Sequence, residues 1–119
     1  MEDLVQFLRA QLDEDERIAR APHSLFLTWD YDDCVRQVRD LGNGNELANV
    51  LSDHSYGEHI AEHDPARVLC EIDAKRKRIG ILADAIKRGH DDYDTATALL
   101  PLEALPYVDR PGYREEWRP

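Results

Sequence analysis

The chain has two cysteines in 119 residues, Cys34 and Cys70, and no Cys-x-x-Cys pair. That excludes a zinc ribbon and a thioredoxin-type redox site. It has no glycine-rich phosphate cradle, since Gly42-Asn43-Gly44 lacks the further glycine and the lysine that such a loop requires. Ser24, Ser52 and Ser55 stand in loop-like sequence, and none has a Gly-x-Ser-x-Gly context for a nucleophile elbow. No apolar run approaches the roughly 20 residues that span a bilayer, and Met1-Glu2-Asp3-Leu4 is acidic where an ordinary signal peptide is basic and then apolar. The chain therefore reads as cytoplasmic and free of membrane, with both thiols reduced and buried as small apolar groups. Internal repeats and low-complexity segments are also missing.

Positive charge is scarce too. Lys and Arg number 15 against 25 Asp and Glu, so the net charge is −10. A phosphate-backbone binder needs a dense basic surface, so nucleic acid is not an expected partner. The basic run Lys75-Arg76-Lys77-Arg78 reads as a solvated helix face. Hydrophobic residues make up 42% of the chain, enough for a modest core, and the length fits a single domain over residues 1–119.

What is present is mostly helical patterning. Over residues 3 to 20, Leu4, Leu8, Leu12, Ile18 and Ala19 recur at helical spacing, with Asp3 as a cap and Pro22 as the stop. From Leu25 the period changes. Leu25 to Trp29 and Cys34 to Val38 are strand-like, Gly42-Asn43-Gly44-Asn45 is a strong turn signal, and Glu46 to Leu51 returns as a partner strand. A competing reading makes Tyr31 to Leu41 a short helix capped by Asp32 or Asp33 and stopped at Gly42. Ser52 to Gly57 reads as a loop and Glu58 to His63 as a short helix. Asp64 is a good N-cap and Pro65 a good first helical residue for the longest helix, which runs to about Arg88 and ends at Gly89. Its stripe is Val68, Leu69, Ile72, Ile79, Leu82, Ala83 and Ile86. Thr95 to Leu105 adds a short helix broken by Pro101. The tail carries Tyr107, Tyr113 and Trp117, which a free tail would not need, so it is expected to pack across the helices. The fold class is α+β: two main packed helices, a small antiparallel β-hairpin or meander, a short His-bearing helix and an ordered C-terminal tail.

Two features bear on chemistry. Asp13-Glu14-Asp15-Glu16 covers every side of the first helix, so one acid must lie near its buried face and needs a partner; Asp15 paired with Lys75 or Arg76 is the expectation. His59 and His63 stand at i, i+4, on one helix face, which suits two ligands of one ion. The metalloprotease pattern fails because Ile60 occupies the place of the catalytic glutamate. A metal site would take His59 and His63 with an acid of the first helix, Asp15 being the candidate.

His59-Ile60-Ala61-x-His63-Asp64-Pro65-Ala66-Arg67-Val68-Leu69 followed by Ala74-Lys75-Arg76, the start Leu4-Val5-x-Phe7-Leu8-Arg9-Ala10 with Leu12 to Glu16, and the ending Leu105-Pro106-Tyr107…Tyr113-Arg114-Glu115-Glu116-Trp117-Arg118-Pro119 together resemble a family of small uncharacterised proteins of actinobacteria and their phages. That family carries a domain-of-unknown-function label, so the resemblance implies a setting and supplies no site residues. The functional expectation is a small acidic accessory or regulatory protein that acts by binding another macromolecule, through a protein partner or self-association. It is not expected to be an enzyme or to carry a cofactor. A divalent-metal protein or hydrolase built on His59 and His63 is the alternative.

Overall fold

Asp64 and Pro65 do what their chemistry dictates: the computed structural model, which describes residues 1–22 and 27–119, starts its longest helix there. The element order is α1 (Glu2–Arg20), β1 (Trp29–Asp32), β2 (Gln37–Asp40), β3 (Glu46–Asn49), α2 (His54–Glu62), α3 (Pro65–Arg88) and α4 (Tyr93–Ala104), followed by short 3-10 turns at Leu105–Tyr107 and Glu115–Trp117. This is the α+β class expected. No helix among the described residues is long and apolar enough to cross a membrane. The chain divides into two compact units, Met1–Asp15 with Ile72–Pro119, and Glu16–Glu71. We call them the helical unit and the sheet unit.

The helical unit buries Leu4, Leu8 and Leu12 of α1, Ile72 and Ile79 of α3, and Ala96, Leu100 and Ala104 of α4. Each fully buried leucine contributes roughly 2 kcal/mol of transfer free energy. The α4 stripe explains why Pro101 does not break that helix. A mid-helix proline leaves the carbonyl four residues back without a donor, at a cost of about 3 kcal/mol. The face Ala96, Leu100 and Ala104 runs past Pro101 and is 0–2% exposed, which holds both halves in one helix.

The tail is fastened to α1 by aromatic and charged contacts within this unit. Phe7 meets Tyr113 edge-on at 6.0 Å and Trp117 at 5.1 Å, and Arg114 donates to Asp3 at 3.1 Å. Asp3 thus lies inside α1 as a tail anchor rather than as its cap. Tyr113 brings its hydroxyl into this cluster without a hydrogen-bond partner among the described residues. A shielded, unpaired hydroxyl costs free energy, so Tyr113→Phe is expected to raise stability by up to about 1 kcal/mol. Chemical denaturation of the two proteins checks this.

Asp15 is correctly placed near the buried face, but its partners are not the expected ones. Arg110 Nη2 donates to Oδ1 at 2.5 Å and the Tyr107 hydroxyl donates to Oδ2 at 3.0 Å. The inter-helix pair is instead Arg76 with Asp13, at 2.8 Å. Two residues along a helix turn a side chain by about 200°, so Asp13 and Asp15 face different neighbours. Tyr107 is 3% exposed, and burial first, then the Asp15 carboxylate, push its phenol above the ordinary value of 10.0. Below pH 10 the phenol is neutral in both the folded and the unfolded chain, so this contribution to stability is constant there. Above pH 10 the unfolded chain ionises first and stability falls. Tyr107→Phe is expected to flatten that alkaline slope, read as the pH dependence of the urea midpoint between about pH 9 and 11.

The sheet unit is a three-stranded antiparallel meander in the order β1-β2-β3, which excludes the competing helix over Tyr31 to Leu41. Tyr31 pairs with Val38 and Val38 with Ala48, and a bulge follows between Val38 and Arg39. The β2–β3 turn is organised by Asp40, 3% exposed, whose Oδ1 accepts the Gly42 N–H at 2.7 Å and the Asn43 N–H at 3.3 Å. Gly44, at φ 73°, supplies the left-handed residue the turn needs. Of the Leu25 to Trp29 strand reading, Leu25 and Phe26 lie outside the described residues, as does Ser24, and the strand begins at Trp29.

Three further expectations are corrected. Ser52 to Gly57 is only partly loop, because α2 begins at His54, with Asp53 as its N-cap accepting the Ser55 N–H at 2.9 Å. Ile18 is 52% exposed, and Ala19 takes the inward position. Cys34 and Cys70 are both exposed free thiols rather than buried ones.

Candidate functional site

The sheet unit positions its side chains by three anchors. Asp64 is the first: its Oδ1 caps α3 by accepting the Arg67 N–H at 2.9 Å, and its Oδ2 accepts the backbone N–H of Trp29 at 3.2 Å. One carboxylate therefore ties the start of β1 to the start of α3. Tyr31 is the second. Its hydroxyl lies 2.6 Å from Nδ1 of His54, at the first turn of α2, and the two rings are 5.8 Å apart. Gly57 is the third. A Cβ there would overlap the Tyr31 ring, with Cζ only 2.6 Å away, so only glycine lets the ring lie on α2.

These anchors set β1 beside α2 and leave a groove of about 370 Å³ lined by Trp29, Asp30, Tyr31 and Asp33 on the strand side and Glu58, Ala61 and Glu62 on the helix side. Four of the seven lining residues are carboxylates, two are aromatic, and none is a cation. Spacing on α2 explains the convergence: Glu58 and Glu62, at i and i+4, share a face. Glu62 is partly neutralised by Arg67 at 2.8 Å. Asp30, Asp33 and Glu58 have no salt-bridge cation among the described residues, so the groove carries a net negative field. The Tyr31 phenol registers it. Burial pushes its pKa up first, Arg36 opposes, and Asp33, Glu58 and Asp53 push it further up.

At the β1–β2 turn, Asp32, Asp33 and Cys34 bring three ligand-type atoms within 4.8 Å of one another. Local turn chemistry accounts for part of this, since Asp32 Oδ1 accepts the Cys34 N–H at 2.9 Å. Asp33 and then Asp32 push the Cys34 thiol above its ordinary pKa. The thiolate is the nucleophilic form, so this environment works against a reactive cysteine.

Of the residues singled out from sequence, His59 and His63 lie together in the sheet unit, with ring centroids 4.3 Å apart. Asp15 belongs to the helical unit, and both its oxygens are held there by Arg110 and Tyr107. The basic run is fully engaged within that unit: Arg76 with Asp13, Lys77 with Asp73 at 2.9 Å, Arg78 with Glu103 at 2.8 Å, and Lys75 with the Tyr107 hydroxyl at 3.5 Å. No motif in the sequence marks the groove. Its available signal was Asp53, an N-cap whose helix carries Glu58 and Glu62 on one face.

Among curated proteins and among solved structures, nothing matches the chain. Residues 1–119 match the model of a family described as "Family of unknown function (DUF6221)", and the chain belongs to that family.

Proposed function

We propose that the protein acts by binding, as an accessory or regulatory protein, and that the β1–α2 groove takes lysine or arginine side chains of a basic protein segment. One observation carries this reading: four carboxylates and two aromatic rings line one groove with no cation among them. Carboxylates attract an ammonium or guanidinium, and the rings of Trp29 and Tyr31 offer it a π face. The net charge of −10 extends the attraction over the molecule and would speed encounter with a basic partner. The same charge disfavours nucleic acid. The partner's cations come from elsewhere, because Lys75, Arg76, Lys77 and Arg78 are already engaged. Free thiols at Cys34 and Cys70 support a reducing, cytoplasmic setting, and the actinobacterial and phage setting implied by the resemblance is compatible with it.

The test uses Trp29 as the reporter. In a Trp117→Phe background it is the chain's one indole, and its N–H signal can be followed while a hexa-arginine peptide is titrated. Saturable one-to-one shifts of that signal and of the Asp30 and Glu58 amides are expected. Shifts spread over the whole acidic surface, with none larger at the groove, would contradict the reading.

A further inference from the structure

We propose that His59 and His63 form a two-imidazole chelate for a divalent transition-metal ion at the C-terminal end of α2. The spacing puts both rings on one helix face, and their centroids are 4.3 Å apart, with the planes tilted by 35°. Both residues are exposed, so an ion reaches them without any rearrangement of the core.

The hydrogen bonding prepares one ring for the task. Nδ1 of His63 lies 2.8 Å from the backbone carbonyl oxygen of His59. A carbonyl oxygen only accepts, so Nδ1 carries the proton. In the neutral ring the lone pair is then on Nε2. A metal-bound histidine is typically held this way, with the nitrogen away from the metal donating to a carbonyl or carboxylate, which fixes both tautomer and ring orientation. Here the ligand's own helix supplies the carbonyl.

The position adds a second term. His59 stands in the last turn of α2 and His63 is its C-cap, with its backbone N–H directed at the carbonyls of His59 and Ile60. A helix C-terminus carries partial negative charge and favours a cation. Imidazole nitrogens select late first-row ions such as Zn²⁺, Ni²⁺ and Cu²⁺ over Mg²⁺ or Ca²⁺. Two protein ligands leave the remaining positions to water or to an outside ligand, so the bound ion is an exchangeable one and not a structural one. The chelate consists of the two imidazoles alone and does not draw on Asp15.

Zn²⁺ is the probe, added to the full chain at about pH 7.5, above the ordinary range of histidine side chains in general. Long-range ¹H–¹⁵N correlation of the histidine rings is the readout. One equivalent is expected to move the Nε2 resonances of His59 and His63 together, leave Nδ1 of His63 protonated, and leave His54 and His90 unmoved. His59→Ala keeps the backbone carbonyl that holds His63 and is expected to weaken Zn²⁺ binding by about tenfold or more. His63→Ala should do the same. Zn²⁺ that binds the two variants as tightly as the parent, or that leaves both rings unmoved up to about 1 mM, would overturn the proposal.

Discussion

Gly57→Ala is expected to destabilise the protein by about 2–3 kcal/mol, although alanine is the better helix former. In an exposed helix interior this substitution stabilises by roughly 0.5–1 kcal/mol. At Gly57 the new methyl would overlap the Tyr31 ring at Cε1, Cδ1 and Cζ. The ring cannot move aside without giving up its 2.6 Å contact with His54. Overpacking of this kind forces side chains off their rotamers or shifts the backbone. Gly80 is the internal control. It lies inside α3 and a Cβ there meets nothing within 4 Å, so Gly80→Ala is expected to stabilise. A double-mutant cycle supplies the mechanism: in a Tyr31→Ala background the Gly57→Ala penalty should vanish or reverse, because no ring remains to clash. Urea denaturation of the four proteins measures it.

Asp15→Ala carries the second large effect, an expected loss of about 2–3 kcal/mol. The Asp15 side chain is 20% exposed and that of Arg110 34%, so the pair is neither dry nor fully screened. Removal strips the guanidinium of its carboxylate and leaves the Tyr107 hydroxyl, on a residue 3% exposed, without its acceptor. An unmade hydrogen bond at a buried group costs more than a made one contributes. Asp15→Asn keeps an acceptor for Tyr107 and should lose about half as much. If the alanine variant instead matched the parent, within about 0.5 kcal/mol, the tail would not depend on this network.

How much of this was legible beforehand depends on the range of the interactions. Local chemistry was readable. Asp64-Pro65 and Gly89 bounded α3 correctly, Gly89 taking the left-handed φ of 67° that a helix stop favours. Gly42 to Asn45 marked the β2–β3 turn. The histidine pair was visible as spacing. What failed were positions decided by distant residues. Gly57 reads as the end of a loop because its reason for standing in a helix, the Tyr31 ring, lies 26 positions away (57 − 31). The need of Asp15 for a partner could be argued from four acids in a row, but Arg110 is 95 residues away and nothing local points to it. Pro101 reads as a break until the burial of Ala96, Leu100 and Ala104 is known. The groove is of the same kind: Asp30 comes from β1, Asp33 from the turn that follows it, and Glu58 and Glu62 from α2, and only the packing of β1 on α2 gathers them.

The most direct test of the binding role is calorimetric titration of a hexa-arginine peptide into the parent and into an Asp30→Asn, Asp33→Asn, Glu58→Gln variant, at about 0.15 M salt, where remote surface charges are largely screened. The account predicts saturable one-to-one binding by the parent and a loss of at least about tenfold in the variant, roughly 1.4 kcal/mol. Equal affinity for the two proteins, or no binding by the parent, would contradict it.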